Sequence, residues 1–335
     1  MKDLQNYSLK AHNTFGIDAR CRQFLEYSTV DEAQSVAQRI AEPFLIVGGG
    51  SNLLLTRDYD GTVVRSAIKG LQVVEETDSE VLISVGSGEE WDEMVREFVA
   101  RGWYGAENLS LIPGDVGASA VQNIGAYGAE VGELINRIEA VSVGSGERVV
   151  IQASECQYGY RQSRFKHEWK NRFLITHVIY RLSKTFSPRL DYGNIRAELE
   201  RRNIASPTAA QLRDVIISIR REKLPDPKVE GNAGSFFMNP VVSRERFEAL
   251  LNDYPQMPHY PVDPEHEKIP AGWLIDQCGW KGKSLGRAGV HSRQALVLVN
   301  RGGATGQEIV DLCEAIRSDV LKKFGITIVP EVNII

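Results

Sequence analysis

Apolar residues recur at helical spacing in five segments of the chain, and each segment predicts an amphipathic helix. The segments are 30–40, 91–99, 212–219, 244–251 and 305–323. Short apolar or alternating runs predict strands at Phe44–Val47, Thr62–Val64, Val81–Val85, Ile138–Val143, Arg148–Gln152, Phe173–Arg181 and Ile326–Val329. Helices and strands are mixed along the whole chain, so we expect a mixed α/β or α+β protein of about three units.

Turn and cap residues mark where several of these elements begin and end. Thr29–Glu32 and Thr305–Glu308 each have the spacing of a capping box at a helix N-terminus. Gly144–Glu147 predicts a hairpin turn between two strands. Because proline cannot continue a helix, Pro225 and Pro227 end the helix before them and indicate a domain boundary.

The composition is ordinary for a globular protein. Of the 335 residues, 42% are apolar and 25% are charged, and the formal net charge is −5. A net negative charge argues against a nucleic-acid-binding protein, which usually carries a basic face. The N-terminus has no apolar signal-peptide core, and no run approaches the roughly 18 apolar residues of a membrane span. We therefore expect a cytoplasmic protein without nucleic-acid or membrane partners. A monomer is a separate expectation, because the sequence does not determine the oligomeric state.

The cysteines and histidines do not indicate a disulfide or a metal site. The four cysteines are far apart and form no CxxC pair, so we expect reduced, mostly buried thiols at Cys21, Cys156, Cys278 and Cys313. The six histidines are scattered without metal-ligand spacing, and we expect no bound metal.

Two glycine-rich loops can hold the pyrophosphate of a dinucleotide through their backbone N–H groups: Gly48–Leu53, and Ile112–Ser119 followed by Asn123–Gly128. Neither is a complete GxGxxG or Walker sequence, so tight turns between packed elements remain the alternative. Asp115 is unfavourable beside a pyrophosphate, and we expect it to point away or to cap a helix. The candidate cofactor-binding residues of these loops are Gly48, Gly49, Gly50, Ser51, Asn52, Gly114, Gly117, Ser119 and Gly125.

Three distant residues form a candidate site for handling a proton and a carboxylate. Ser235 lies between a glycine turn and two phenylalanines, and no Gly-x-Ser-x-Gly elbow surrounds it. Arg161 follows Tyr160 and has the charge and geometry to bind a carboxylate. Glu331 follows an apolar run and Pro330, which can hold it rigidly. The alternatives are a serine that bonds its own turn and two solvated charges.

Eight motifs in order carry a resemblance to one family: Asn13–Gly16, Val47–Leu54, Ile112–Gly114, Gln122–Gly128, Tyr160–Phe165, Lys223–Pro227, Gly231–Pro240 and Ala271–Asp276. In them the chain resembles the UDP-N-acetylenolpyruvoylglucosamine reductases (UDP-N-acetylmuramate dehydrogenases), flavoenzymes of bacterial peptidoglycan precursor synthesis and hence of cell wall, cell shape and cell division. The likeness runs almost end to end. Tyr192 places the chain with the longer-loop subtype of that family.

The resemblance implies an α+β architecture with an FAD-binding fold of the vanillyl-alcohol-oxidase type. It divides the chain into two FAD-binding α+β subdomains, 1–70 and 71–224, the second completed by 325–335, and a smaller α+β substrate-binding domain, 225–324. It also implies that NADPH reduces non-covalently bound FAD and is replaced by the enolpyruvyl sugar nucleotide. Hydride then passes from flavin N5 to the β-carbon, and an acid protonates the α-carbon.

The same resemblance gives roles to individual residues. Ser235 matches the proton donor, and Arg161 and Glu331 match the other two catalytic positions. Arg220 matches a flavin-contacting arginine, and Tyr192 matches a loop tyrosine that closes over the sugar nucleotide. The other positions that match contacts to the substrate or the nicotinamide are Tyr160, Lys223, Asn239, Tyr260 and Gln294.

The chain departs from the family pattern at two positions, and two other functions are alternatives to this interpretation. Met238 and Asn333 stand where relatives often carry Lys and Arg, which puts peripheral charge contacts in doubt. One alternative function is another flavin oxidoreductase of the same fold that acts on an alcohol or a sugar. No histidine occurs between His12 and His167, which argues against covalent flavin attachment near the first loop. The second alternative is a nucleotide-binding or flavin-binding regulator without enzymatic activity.

Overall fold

The computed structural model describes all 335 residues, which form two compact units. The first unit comprises Met1–Tyr7, Cys21–Gly49 and Asp60–Glu222, and the second comprises Ser8–Arg20, Gly50–Tyr59 and Lys223–Ile335. Each unit contains both helices and sheets. The division into 1–70, 71–224 and 225–324 stays a prediction.

Eight α-helices are present: α1 Val30–Arg39, α2 Trp91–Ala100, α3 Val116–Gln122, α4 Ile195–Arg201, α5 Ala209–Lys223, α6 Arg244–Asp253, α7 Ala271–Gln277 and α8 Gly306–Phe324. The five predicted helices are confirmed as α1, α2, α5, α6 and α8. The sequence pattern missed α3, α4 and α7 because each has only seven residues, too few to show a helical period.

The capping box predicted at Thr305–Glu308 is confirmed, whereas the one at Thr29–Glu32 is only half formed, because the Glu32 carboxylate accepts from Ser28 N at 2.7 Å. The Thr29 hydroxyl accepts a hydrogen bond from Glu32 N at the start of α1. At the start of α8, Thr305 and Glu308 form a complete capping box, in which each side chain bonds the other residue's backbone N–H. Gly325 ends α8 in the left-handed conformation, with φ +62°. Local sequence therefore fixes both ends of the longest helix.

The strands are β1 Lys2–Ser8, β2 Arg20–Tyr27, β3 Phe44–Val47, β4 Leu53–Leu54, β5 Tyr59–Ser66, β6 Leu71–Glu76, β7 Glu80–Gly86, β8 Gly125–Ala126, β9 Ala129–Glu130, β10 Ile135–Ser142, β11 Arg148–Gln152, β12 Phe173–Ser183, β13 Gly231–Asn232, β14 Val241–Ser243, β15 Tyr260–Asp263, β16 His266–Lys268, β17 Ser284–Leu285, β18 Ala288–Val290, β19 Leu298–Asn300 and β20 Asn333–Ile334. Six of the seven predicted strands are confirmed, as β3, β5, β7, β10, β11 and β12.

Two sheets organise the first unit. One has the order β1-β2-β5-β3, with β3 and β5 parallel. The other is antiparallel, has the order β11-β10-β12-β7-β6, and contains the predicted β10–β11 hairpin. Trp91 of α2 packs on Tyr180 of β12 with 5.7 Å between ring centroids, and both rings are buried. Helices α2 and α3 thus lie in this core, and α3 contains the end of the first part of the second glycine-rich loop.

The second unit contains smaller sheets. One has the order β13-β19-β18-β17, and α8 packs against its β18 and β19. Another has the order β14-β16-β15. The short parallel pair β20–β4 joins the last residues of the chain to Leu53–Leu54. Helices α7 and α8 also pack on each other. The unit is therefore assembled from segments far apart in the sequence.

The predicted strand at Ile326–Val329 is wrong. Ile326 and Ile328 are buried, so their alternation reports packing into the core and not a hydrogen-bonded ladder. Val329 makes one backbone bond as an acceptor from Met238 N, at 2.9 Å, and Pro330 has no N–H to donate. The strand forms four residues later, at β20.

Three further observations bear on the broad class of the protein. None of its helices has the length and apolar composition that crossing a membrane requires. The cysteines are free thiols, and Cys21, Cys156 and Cys313 are buried while Cys278 is half-buried, so the thiols are mostly buried as predicted. No group of three or more His, Cys, Asp or Glu side chains lies close enough together to hold a metal ion.

A buried ion pair joins α2 to α5 inside the first unit. Arg213 Nη1 lies 2.6 Å from Asp92 Oδ1, and Nη2 lies 3.0 Å from Oδ2. The two side chains are only 10% and 17% exposed. Burial raises the pKa of Asp92, but hydrogen bonds from Arg213 and from Leu111 N outweigh it and leave that pKa below its usual value. The pair therefore also holds the backbone just before the second glycine-rich loop.

We expect Arg213→Met to destabilise the protein by about 3–5 kcal/mol, because it leaves a buried carboxylate without its cation. Arg96→Met is the matched control, since Arg96 pairs with Glu93 at an exposed position of α2 and should cost less than about 1 kcal/mol. Urea unfolding measures both. The stabilisation from the pair should be present above the unfolded-state pKa of Asp92 and disappear as the pH falls through its lowered folded-state pKa. Equal costs for the two variants would contradict this assignment.

Candidate active site

The Ser235 and Glu331 segments are paired through their backbones in the second unit. Glu331 N donates to Phe236 O at 2.8 Å, and Met238 N donates to Val329 O at 2.9 Å. Between these bonds, Phe237 and Pro330 form an antiparallel bridge. Residues 95 positions apart in the sequence therefore lie side by side, and Ser235 is one residue from the pair that contains Glu331.

The backbone on both sides of Ser235 is anchored. Gly234, at φ +69°, donates its N–H to Asn232 Oδ1 at 2.9 Å. Phe236 N donates to Leu296 O at 2.8 Å, and the Phe236 and Phe237 rings are fully buried. Ser235 itself is half-buried. The arrangement places one hydroxyl group on a fixed backbone between two anchored amides.

Asn232 ties this turn to the N-terminal motif Asn13–Gly16. Asn232 N donates to Thr14 O at 3.0 Å, and the Thr14 hydroxyl donates to Asn232 O at 2.5 Å. The buried Asn232 side chain also donates to Glu230 O at 2.8 Å. Satisfied hydrogen bonds in a buried position specify one geometry, so Asn232 and Thr14 support the turn that carries Ser235.

Glu331 is held from its other side by the first glycine-rich loop. Asn52 Nδ2 lies 3.4 Å from Glu331 O, and Asn333 donates through both N and Nδ2 to Asn52 O at 3.2 and 3.0 Å. Gly50 approaches the backbone so closely that a Cβ there would overlap His12 O, and its φ is +66°. Asn333, one of the two departures from the family pattern, therefore has a structural role in placing Glu331.

Arg161 lies in the first unit, in a two-residue turn. Gly159 and Gln162 exchange backbone hydrogen bonds of 3.1 and 2.9 Å around Tyr160 and Arg161. Arg161 has φ +56°, which is unfavourable for a residue with a Cβ and has to be held by the surrounding structure. Its Nη2 donates to Gly125 O at 2.7 Å, and its guanidinium carbon lies 5.2 Å from the Tyr160 ring centroid. The guanidinium therefore has a defined direction.

Arg220, on α5 of the same unit, lies near Arg161 and Tyr127. Its Nε is buried and has no hydrogen-bond partner. Burial lowers the pKa of Arg220, Tyr127 and Asp92 raise it, and the second cation, Arg161, lowers it further. The Tyr127 ring meets the Tyr192 ring edge to face at 6.5 Å, and Tyr192 is 52% exposed. Two cations at one place suit an anionic or strongly polar ligand.

Parts of the two glycine-rich loops are in contact within the first unit. A Cβ on Gly49 would lie 3.0 Å from Gly114 Cα, and a Cβ on Gly48 would lie 2.9 Å from Ala118 Cβ. A side chain at either position would clash with the other loop, so glycine is what allows this close contact, which we call the glycine cradle. Gly117 N donates to Ser87 O at 2.9 Å, and the Ser119 hydroxyl donates to Val116 O at 2.7 Å inside the core. The last two residues thus already have internal hydrogen-bond partners.

Asp115 faces this cradle, contrary to expectation. It is the residue before α3, but its side chain makes no capping hydrogen bond. Its Oδ2 pairs with Arg65 Nη2 at 3.3 Å, and its Oδ1 would lie 3.2 Å from a Cβ on Gly49. Burial raises the pKa of Asp115, and Arg65 offsets part of that shift. An ion pair with Arg65, and not a helix cap, therefore holds the carboxylate.

The remaining predicted contact residues occupy several elements of the second unit. Asn239 Oδ1 accepts from Ala271 N at the start of α7, at 2.9 Å. Gln294 Oε1 accepts from Leu296 N at 3.3 Å, in the loop that anchors Phe236. Tyr260 is 49% exposed on β15, and Lys223 is exposed at the end of α5. Ser51 is half-buried between Gly50 and Asn52.

The structure brings together Ser235 with Glu331 in the second unit and Arg161 with Arg220 in the first. Sequence reasoning missed three supporting residues, Thr14, Asn232 and Asn123. Asn123 is fully buried and bonds the turn of Arg161. All three lie inside recognised motifs, and buried asparagines beside turns are the signal that could have identified two of them.

Two family models match separate parts of the chain. The family model described as FAD binding domain matches residues 23–152. The model described as UDP-N-acetylenolpyruvoylglucosamine reductase, C-terminal domain, matches residues 226–335. The solved structure of a UDP-N-acetylenolpyruvylglucosamine reductase from Thermus caldophilus has a TM-score of 0.68 at 21% identity and covers 99% of this chain and 98% of its own. This likeness confirms the predicted α+β fold.

Curated relatives are similar over the whole length. The UDP-N-acetylenolpyruvoylglucosamine reductase of Bacteroides fragilis (strain YCH46) is 56% identical over 333 residues, which is 99% of each chain. Those of Burkholderia multivorans and Flavobacterium johnsoniae are 48% and 44% identical, over 98% and 100% of this chain and 95% and 100% of their own. The chain therefore belongs to the family of UDP-N-acetylenolpyruvoylglucosamine reductases and is an FAD-dependent oxidoreductase.

Proposed function

We propose that this protein reduces the enolpyruvyl group of UDP-N-acetylglucosamine enolpyruvate to UDP-N-acetylmuramate, with electrons from NADPH, in peptidoglycan precursor synthesis. The observation that carries the proposal is the backbone pairing of the Ser235 and Glu331 segments. That pairing fixes a hydroxyl and a carboxyl on neighbouring segments, and reduction of a double bond next to a carboxylate requires a placed proton donor.

FAD suits the residues of the first unit. Gly48, Gly49 and Gly114 carry no Cβ that would keep a pyrophosphate away from their backbone, although the Asp115 carboxylate lies beside them. The buried, unpartnered Nε of Arg220 supplies a donor for a polar ring atom or an anion. FAD, when bound, supplies the two-electron carrier that takes hydride from NADPH and gives it to the substrate. Gly50, Ser51 and Asn52 continue the first loop, and we assign them to the same cofactor.

In this proposal Ser235 protonates the α-carbon of the substrate. The O–H bond of Ser235 breaks, a C–H bond forms, and the serine oxygen regains a proton from solvent. Its anchored backbone keeps the hydroxyl in place without rearrangement during the reaction. We assign Glu331 to the same proton transfer because its backbone is paired beside that of Ser235.

We assign to Arg161 the role of stabilising the negative charge that develops at the substrate carboxylate as the double bond is reduced. A guanidinium is always charged and presents its donors in a rigid plane, so it can be aimed before the reaction. The hydrogen bond to Gly125 O and the Tyr160 ring provide that aim. Binding roles for Tyr160, Tyr192, Lys223, Asn239, Tyr260 and Gln294 complete the proposal.

An anaerobic experiment on the purified holoprotein tests the function. NADPH should bleach the visible flavin absorbance, and addition of UDP-N-acetylglucosamine enolpyruvate should restore it without oxygen. Recovery that requires oxygen, or recovery with an alcohol-derived carbonyl compound and not with the enolpyruvyl substrate, would replace this function with that of another flavin oxidoreductase.

We also propose that the protein is a monomer, and light scattering on the same purified sample tests this. The free thiols support a cytoplasmic location.

Asp115 gives the cofactor proposal a sharper test. A carboxylate beside the glycine cradle repels a pyrophosphate, so we expect Asp115→Asn to bind FAD about tenfold more tightly at neutral pH, or about 1.4 kcal/mol. Because the neutral acid is the favourable form, wild-type affinity should fall as the pH rises through the raised pKa of Asp115, and the variant should lose this dependence. Asp60→Asn, at a 93% exposed carboxylate, is the charge-matched control in FAD titrations of the apoprotein. Equal affinities for wild type and Asp115→Asn would argue against a pyrophosphate at this cradle.

A further inference from the structure

Asn123 occupies an unusual place at the end of α3. It is fully buried and has φ +44°, a left-handed conformation that asparagine tolerates better than most residues. A buried amide must satisfy its donors and its acceptor inside the protein. The hydrogen-bond partners of Asn123 therefore indicate its structural role.

Those partners lie on segments that surround Arg161. Asn123 Nδ2 donates to Glu130 Oε2 and to Gly159 O, both at 2.7 Å. Asn123 Oδ1 accepts from Gly132 N at 2.9 Å. One side-chain amide thus joins the end of a helix, the β8–β9 hairpin with the residues after it, and the turn of Tyr160 and Arg161.

These bonds fix Arg161 at both of its ends. Gly159 closes the turn in which Arg161 is held at positive φ, and its carbonyl accepts from Asn123 as well as from Gln162. The guanidinium end donates to Gly125 O, and Gly125 pairs with Glu130, the other Asn123 partner, in the β8–β9 ladder. The backbone of Arg161 and the acceptor of its guanidinium therefore have one common support.

Two other supports of the turn act on its backbone. The Ser163 hydroxyl donates to Val121 O at 2.6 Å, and Lys166 Nζ donates to Arg161 O at 2.8 Å. Neither contact reaches the hairpin that holds the guanidinium. A turn with unfavourable φ stays in place only when its surroundings over-determine it. Loss of the Asn123 amide removes a connection between the turn and the hairpin that does not depend on the Arg161 side chain itself.

We propose that Asn123 is a positioning residue for the reduction step, which acts by aiming the Arg161 guanidinium. The proposal rests on the function proposed above, in which Arg161 stabilises charge that develops on the substrate. Asn123 does not itself contact substrate or cofactor in this mechanism. It sets the geometry in which the cation meets that charge, and misplacement by about 1 Å can cost a hundredfold in rate.

The test uses Asn123→Gly in the FAD-loaded protein. Glycine accepts φ +44° without strain, so the variant removes the amide and keeps the backbone conformation. We expect flavin reduction by NADPH to stay within about twofold and reoxidation by the enolpyruvyl substrate to slow by about tenfold to a hundredfold. The dissociation constant of that substrate for the oxidised holoprotein should change by less than about threefold. Ser163→Ala, which removes a hydrogen bond from the same turn to the same helix, should slow reoxidation by less than about twofold.

A double-mutant cycle with Arg161→Lys separates the possible outcomes. If Asn123 acts through the guanidinium, Asn123→Gly should have no further effect on reoxidation in the Arg161→Lys background. Three results would overturn the role of Asn123. The first is that the effects of the two substitutions on the reoxidation rate multiply, and the second is that Asn123→Gly slows both half-reactions equally. The third is that reoxidation is normal in Asn123→Gly but slow in Arg161→Lys. Normal reoxidation in Arg161→Lys itself would instead remove Arg161 from the proposed function.

Discussion

Replacement of Ser235 by alanine should slow reoxidation of the reduced flavin by the enolpyruvyl substrate by about a hundredfold to ten-thousandfold, the range for loss of a general acid. FAD binding and flavin reduction by NADPH should remain close to wild type, because the substitution keeps the backbone that Asn232 and Leu296 anchor. Stopped-flow measurement of the two half-reactions under anaerobic conditions separates these effects. Repeating the reaction in deuterated water should show whether the remaining protonation at the α-carbon uses a solvent-exchangeable proton.

Two controls accompany this variant. Ser235→Cys keeps an acidic proton at the same place and should retain more activity than Ser235→Ala, although the larger sulfur shifts the donor. Ser145→Ala lies in the exposed β10–β11 turn and should change neither half-reaction. If the reduced flavin of Ser235→Ala is reoxidised at the wild-type rate, Ser235 is not the proton donor. Glu331 would then be the carboxyl group to test next, since its segment is paired beside that of Ser235.

Replacement of Arg161 by lysine should slow the same half-reaction by about a hundredfold to a thousandfold, the cost of losing a placed donor at a developing charge. Lysine keeps the positive charge but has neither the planar fork nor the geometry that reaches both Gly125 O and the substrate. Flavin reduction by NADPH should be much less affected. Half-reaction rates measured across a range of substrate concentrations would place the loss in the reduction step and not in binding.

The matched control for this variant is Arg101→Lys. The Arg101 guanidinium carbon lies 5.2 Å from the centroid of the Trp103 ring, the same distance as in the pair of Arg161 and Tyr160. It pairs with Glu97 on an exposed part of the first unit. If both variants have the same small effect, stacking on an aromatic ring explains the position of Arg161, and its proposed catalytic role is contradicted.

Local chemistry made much of the fold predictable. The capping residues Thr29 and Thr305 and the terminating Gly325 act within a few positions of themselves, so the sequence alone places α1 and α8 to within about one residue. The hairpin of β10 and β11 was equally readable from Gly144–Glu147. Buried strands such as β3 are visible as apolar runs bounded by turns.

The failures concern interactions between distant segments. Ile326–Val329 alternates like a strand, but its apolar residues serve packing, and the true pairing partner of the C-terminal residues is Leu53–Leu54. No local pattern contains that choice. For the same reason, the sequence could not predict the bonds from Asn123 to Gly159 and from Thr14 to Asn232. Each of them joins groups that only the fold brings together.

The candidate site follows the same division. The resemblance selected Ser235, Arg161 and Glu331, but composition and spacing alone could not say which charges are solvated. The structure pairs the backbone of Glu331 with that of Phe236, the residue after Ser235, and gives Arg161 a directed side chain. It also corrects the expectation for Asp115, whose partner, Arg65, lies 50 residues away in the sequence.

The composition of the second unit limits how this protein can be dissected. A fragment chosen from the sequence match at residues 226–335 would lack Thr14 and the backbone of Phe15, which accepts from Asn300 Nδ2 at 2.9 Å. It would also lack Leu55, whose carbonyl lies against Gly306 where α8 begins. Such a fragment would expose surfaces that two earlier segments normally cover. Chimaeras between relatives would keep the Ser235 turn intact only if residues 8–20 and 50–59 were exchanged together with the C-terminal part.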